Sequence, residues 1–136
     1  MAFRDIIVSG MSVNAPFRVL ALVPDLLTNM RIEAGVQRLG GFLDVVEDPA
    51  SFFREIETSP PPQLAVIDLS YAWIDVNEAV AACMHAGIPL LAFGPHIDTG
   101  RLRSARQAGV DFVYPRSRLM GDVAGTLREA LAGARA

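Results

Sequence analysis

QLAVIDLSYAWIDVNEAVAACMHAGIPLLAFG, residues 63–94, decides the fold. Two unbroken apolar runs, LAVI at 64–67 and IPLLAF at 88–93, flank an amphipathic stretch, VNEAVAACMHAG at 76–87, that ends in glycine. A strand that is apolar at every position, rather than at every second one, is buried on both faces, as strands in helix-covered parallel sheets are. Residues 63–94 therefore read as strand, helix, strand. One residue stands out: Asp68 places a carboxylate at the end of a buried strand.

The same unit recurs on either side. RVLALV (18–23) is a strand, and LLTNMRIEAGVQRLGG (26–41) has apolar residues at helical spacing and a glycine stop. FLDVVED (42–48) is a second strand, Pro49 opens the helix ASFFREIET, and SPPPQ (59–63) is a loop in which no helix can continue. Beyond residue 94 come the helix TGRLRSARQAG (99–109), the strand DFVY (111–114) and a last helix, MGDVAGTLREALAG (120–133). Five strands alternating with five helices predict a doubly wound α/β domain with a parallel sheet, for which the order taken is the flavodoxin-like 2-1-3-4-5 of the family named below. Residues 1–16 stand outside the pattern and read as a poorly ordered extension, in which Met11 is an alternative start and DIIV (5–8) an alternative edge strand; residues 17–136 form the domain.

Composition narrows the function classes. The chain has 136 residues and is 51% apolar, enough for one core. No apolar run nears the roughly 18 residues that span a bilayer, and the N-terminus lacks a signal peptide's apolar region. The expected location is the cytoplasm, with no membrane partner. Fifteen acids against 12 bases give no field for nucleic acid. Cys83 is the sole cysteine and reads as a small buried helix residue; with only His85 and His96 beside it, no zinc spacing exists. Any metal would be a hard ion on carboxylates. All 12 bases are arginine.

In such a fold, ligands gather beyond the carboxyl ends of the strands. The residues there are Pro24 and Asp25, Glu47 and Asp48, Asp68 and Ser70, then Gly94, Pro95 and His96, and finally Pro115, Arg116 and Ser117. The strand order sets Asp25 beside Asp68. Two close carboxylates serve a Mg²⁺ ion, a nucleophile with a metal, or an arginine clamp that Arg116 would supply. Equally, Asp25 reads as a helix N-cap and Asp68 as a turn residue. No GxGxxG, GxxxxGK[ST] or GxSxG follows any strand, which removes the main support for a nucleotide-binding or esterase reading.

At these positions the chain resembles the response-regulator receiver domains, the CheY-like family, from residue 17 to about 132. IPLLAFGPHIDTGRLRSARQAGVDFVYPRS is similar to that family's IPVIMLTAHxDxxxxxxAxxAGADDYLxKPF, without a gap; PPQLAVIDLSYAWID is similar to PDLVLLDLxMPxxD, and VLALVPDLLTNMRI to ILIVDDExxxR. The resemblance implies that Asp68 is the phospho-accepting aspartate, that Asp25 is the second of two metal-binding acids, and that the Ser70 backbone carbonyl completes a Mg²⁺ site. It also shows departures. Pro24 replaces the first acid, Gly94 the hydroxyl that bonds the phosphoryl group, Arg116 the lysine and Ser117 the proline after it, while Val113 stands where the switch aromatic lies.

The expected function is an atypical, degenerate stand-alone receiver. It signals in a phosphorelay-type system through a protein partner, a sensor kinase or an output protein, with phosphorylation at Asp68 impaired and Mg²⁺ weak or absent. The interaction-only form is favoured, because a lost hydroxyl and a lost aromatic together remove the usual two-state switch. No enzymatic activity is expected beyond self-phosphorylation and dephosphorylation at Asp68. The alternative is a small-ligand or enzymatic flavodoxin-like domain that uses the Asp25, Asp68 and Arg116 pocket. A homodimer through the fourth helix, fifth strand and fifth helix is a further reading of the charges Arg101, Arg103, Arg106, Asp111 and Arg118.

Overall fold

The structure is a computed structural model that describes residues 16–71 and 73–133. Apart from Pro16, the N-terminal extension, with Met11 and DIIV, lies outside the described residues. Five strands, β1 (Arg18–Leu22), β2 (Phe42–Val46), β3 (Leu64–Asp68), β4 (Leu90–Gly94) and β5 (Phe112–Pro115), pair in parallel in the order β2-β1-β3-β4-β5. Between and after them run α1 (Leu26–Arg38), α2 (Pro49–Ile56), α3 (Val76–Ala86), α4 (Thr99–Ala108), α5 (Arg116–Gly121) and α6 (Val123–Gly133). The fold class and strand order expected from the sequence are those observed.

One element differs. The single last helix expected over 120–133 is two, because Asp122 breaks it with φ −157° and ψ 80°. Its carboxylate accepts from Gly125 N–H at 3.0 Å and its carbonyl from Thr126 N–H at 3.0 Å, so the aspartate starts a new helix instead of continuing one. Short acidic side chains compete for backbone donors in this way, and are poor helix-interior residues for that reason.

The alternation of side chains along each strand divides the core into two layers. Leu20, Leu22, Ala65, Ile67, Ala92 and Val113 pack with Phe52 and Ile56 of α2, Val80 and Cys83 of α3, and Leu102 of α4. Val19, Ala21, Leu64, Val66, Leu91, Phe93 and Tyr114 pack with Ile32 and Val36 of α1, Leu119 of α5 and Leu127 of α6. Cys83 is buried, and desolvation pushes its thiol up to about 12, so it behaves as a small apolar residue. The edge strand β2 keeps Phe42 and Val45 exposed. Arg18 fastens it to the domain through Asp44 at 2.8 Å and Glu55 at 3.1 Å.

Helix starts and stops follow from local chemistry. Asp25, Asp48, Asp75 and Asp98 each cap the helix that follows a strand, accepting from the backbone N–H three residues on. Gly87 and Gly109 end α3 and α4 at φ 73° and 102°, a conformation that side chains disfavour.

Gly35 has a different use. A Cβ there would lie 2.9 Å from Val123 Cβ and 3.2 Å from Ala124 N, so its absence lets α1 and α6 approach. Gly35→Ala is expected to lower stability by about 1–2 kcal/mol, the overpacking cost less the gain in helix propensity. Urea unfolding checks this, and a stabilised variant would show that α6 can retreat at no cost.

Candidate functional site

The paired strands β1 and β3 bring two carboxylates to one end of the sheet, with Leu22 in register with Ile67. Asp68, the last residue of β3, is 1% exposed. Its Oδ1 accepts from Ser70 N–H at 2.9 Å, while its buried Oδ2 has no hydrogen-bond partner. Asp25 is the N-cap of α1, and its Oδ2 accepts from Thr28 N–H at 2.9 Å and from the Thr28 hydroxyl. The local roles of N-cap and turn residue, and a place in one polar pocket, are therefore compatible for both acids.

Arg116 joins them. It opens α5 directly after β5, and its Nη1 lies 3.6 Å from Asp68 Oδ2 while its Nη2 lies 3.7 Å from Asp25 Oδ2. Both separations are too long for direct hydrogen bonds but short enough for ion pairing. Nη2 also donates to Thr28 Oγ1, and the guanidinium carbon sits 5.5 Å from the centroid of the Phe93 ring. The planar fork of arginine serves two carboxylates and lies on an aromatic face at once, with a fixed geometry that a compact ammonium lacks.

Thr28 and Phe93 are the parts of this site that sequence reasoning missed. Thr28 is 3% exposed and sits three residues after the N-cap aspartate, a spacing that marks a capping partner and could have flagged it. Behind it, Asn29 is 8% exposed; its Nδ2 donates to Val23 O at 2.6 Å, leaving Oδ1 buried without a partner. Nothing local distinguishes Phe93 from the other apolar residues of β4.

The Thr28 hydroxyl and N–H, together with the Arg116 charge, hold the Asp25 carboxyl below its ordinary value against a smaller opposing effect of desolvation. Asp48 is likewise lowered, mainly by Ser51 N–H. A depressed acid stabilises the fold above its unfolded pKa, about 3.9, and that stability is lost as pH falls through the folded value. Asp25→Asn is therefore expected to flatten the acid limb of a stability–pH curve below about pH 4. An unchanged limb in that variant would assign acid unfolding to other groups.

The chain matches no family profile and no curated protein sequence. It is similar in structure to a response regulator from Thermotoga maritima, with 8% identity, 86% of this chain and 98% of that one covered, and a TM-score of 0.72. A CheY-like response regulator receiver domain protein from Methanospirillum hungatei gives 15%, 88%, 97% and 0.71 on the same measures. An orphan response regulator of H. pylori gives 18%, 85%, 96% and 0.66. The fold is that of a receiver domain.

Within the receiver fold, Gly94 is closed rather than open. A Cβ there would lie 3.3 Å from Leu69 Cβ and 3.7 Å from Leu102 Cδ2, and both leucines are buried. Apolar packing thus crowds the space that any side chain at this position would enter. Gly94→Thr is expected to cost about 1–2 kcal/mol, measurable as a lower urea midpoint.

Val113 is 8% exposed and belongs to the same apolar layer as Leu69 and Leu102. The flanking Tyr114 points to the other layer, where its hydroxyl donates to Glu129 at 3.3 Å. Both positions are committed to the core.

The charges read as a homodimer face mostly have partners within the chain. Arg101 pairs with Asp98 at 3.2 Å and donates to Leu69 O, and Arg106 donates to Val113 O at 3.4 Å. Asp111 accepts from Leu90 N–H at 2.8 Å, and Arg118 pairs with Glu129 at 2.7 Å; Arg103 is exposed. Among the described residues, no group of three or more His, Cys, Asp or Glu side chains is placed to hold a metal, and no helix is long and apolar enough to cross a membrane.

Proposed function

We propose that this domain is an atypical receiver that acts in signal transduction through a protein partner, with phosphoryl transfer to Asp68 impaired. The observation that carries the reading is the state of Asp68. The carboxylate is 1% exposed, one oxygen is engaged by Ser70 N–H, and the other faces the Arg116 guanidinium at 3.6 Å. In-line attack on a phosphodonor needs an accessible oxygen and cations arranged around the incoming phosphoryl oxygens. Here the local positive charge is committed to the resting carboxylate, and Gly94 offers no hydroxyl.

The surface beside the pocket supports a protein partner. Leu26 and Leu27, directly after Asp25, are 70% and 69% exposed, Met30 one turn on is 56% exposed, and Ile97 in the β4–α4 connection is 80% exposed. Leu26, Leu27 and Met30 place three exposed apolar side chains on the first two turns of one helix beside the pocket, which supports an interaction surface there.

The test is incubation with a small phosphodonor and Mg²⁺, followed by intact-mass measurement. The expected result is little or no mass gain on the wild-type chain; stoichiometric gain that disappears in Asp68→Asn would overturn the impairment. A thermal-shift screen of nucleotides and phosphorylated metabolites addresses the ligand-binding alternative. A true ligand at a hundred times its Kd adds about 2.7 kcal/mol of stability, and such a hit would displace the signalling reading.

A further inference from the structure

We infer that Arg116 is the built-in counter-ion of the acid pair, and that the pocket as folded takes no divalent cation. The inference deepens the reading above and rests on the same pocket. Ser70 N–H takes one lone pair of Asp68 Oδ1, while Oδ2, which has no hydrogen-bond partner and is the oxygen most open to a cation, is the one Arg116 faces. The same guanidinium faces Asp25 Oδ2, and no other carboxylate joins them in a cluster among the described residues. Pro24, where the receiver pattern has an acid, has no side-chain donor.

The guanidinium is also held in place. Thr28 accepts from Nη2 while donating to Asp25, and the Phe93 ring lies against its carbon. A divalent ion sharing these acids needs oxygens at roughly 2.1 Å, and would come within about 4 Å of a fixed positive charge, where repulsion persists even at solvent-like screening. The residues present therefore do not fit a Mg²⁺ ion while Arg116 is in place. What they fit is one delocalised cation supplied by the chain itself. Thr28 is a positioning residue in this arrangement, since its single hydroxyl links the arginine to the N-cap carboxylate.

The inference predicts a latent site. Neutralising Arg116 frees Asp68 Oδ2 and removes the repulsion, so a divalent ion becomes the counter-ion. Mn²⁺ binding followed by electron paramagnetic resonance, and melting temperature in a Mn²⁺ series, compare wild type, Arg116→Gln, Arg116→Ala and the double variant Arg116→Gln with Asp68→Asn. Wild type is expected to show no saturable binding at millimolar Mn²⁺. Arg116→Gln is expected to bind one ion saturably in that range, to gain melting temperature with Mn²⁺, and to lose both effects when Asp68 is also changed. Arg116→Ala keeps the test available if the glutamine disturbs folding.

Saturable one-to-one binding by wild type that is lost in Asp68→Asn, measured beside the others as a single variant, would overturn the inference, as would neutral variants that fold but gain no affinity. The outcomes separate from those of the phosphodonor test. A wild-type chain that binds the metal but accepts no phosphoryl group overturns this inference alone. A chain that accepts a phosphoryl group without binding metal overturns the impairment alone.

Discussion

Phe93→Ala lowers the unfolding free energy by about 3–5 kcal/mol, the cost of removing a large ring from a packed core. Phe93 has no exposed surface and sits in β4 among Val19, Val66, Leu91 and Leu127, so neighbouring side chains cannot close the gap without moving strands. Its ring is also the platform of the Arg116 guanidinium, at 5.5 Å. The substitution therefore acts twice, opening a cavity below the pocket and loosening the cation above it. Urea unfolding measures the first effect. Mn²⁺ affinity measures the second, and is expected to rise in whatever fraction stays folded. A loss under about 1 kcal/mol would mean that the core collapses around the site far more readily than native packing density allows.

Arg116→Met lowers stability by about 2–3 kcal/mol. Breaking a buried pair by removing one partner costs about 3–5 kcal/mol, because the other charge stays buried without compensation. The smaller figure applies because the Arg116 side chain is 35% exposed and its pairing is partly screened by water. Asp68, at 1%, is the charge left behind. Since methionine retains much of the apolar contact with Phe93, the loss reports the polar interactions of the guanidinium, its charge and its bond to Thr28, rather than packing. A double-mutant cycle with Asp68→Asn isolates that term. Asparagine keeps an acceptor for Ser70 N–H and carries no charge, so the double variant is expected to recover at least half of what Arg116→Met loses. If Arg116→Met costs as much in the Asp68→Asn background as in the wild-type chain, the guanidinium stabilises through Thr28, Asp25 and packing without Asp68, and the counter-ion account of Asp68 fails.

Much of this was legible beforehand. The runs LAVID and LLAFG are apolar at nearly every position, and every residue of both strands is buried in the sheet centre. Strand-end residues are readable because the flavodoxin-like order puts the carboxyl ends of β1 and β3 side by side. Asp25, Asp68 and Arg116 could thus be grouped although they are separated by dozens of residues.

The break at Asp122 escaped the periodicity. The apolar spacing of residues 119–131 continues across it, whereas the aspartate's hydrogen bonds to Gly125 and Thr126 do not register in a hydrophobic pattern. Thr28 escaped because a threonine in a first helical turn is usually an unremarkable polar residue. Its importance comes from Arg116, 88 positions away.

The sequence by itself determined the fold class, the strand order and which residues cluster at the carboxyl end of the sheet. Periodicity and strand-end chemistry are local properties, the handedness of parallel crossovers limits the topologies they can build, and the likeness of three stretches to the receiver pattern selects the order among them. Only the tertiary structure decided what the cluster does with its charges. Whether an arginine after β5 points to solvent, to one aspartate or between two depends on a ring from β4, a hydroxyl from α1 and the spacing of three strands. No stretch of chain contains all of these, and small differences in distance decide whether a carboxylate is answered by a metal or by its own protein.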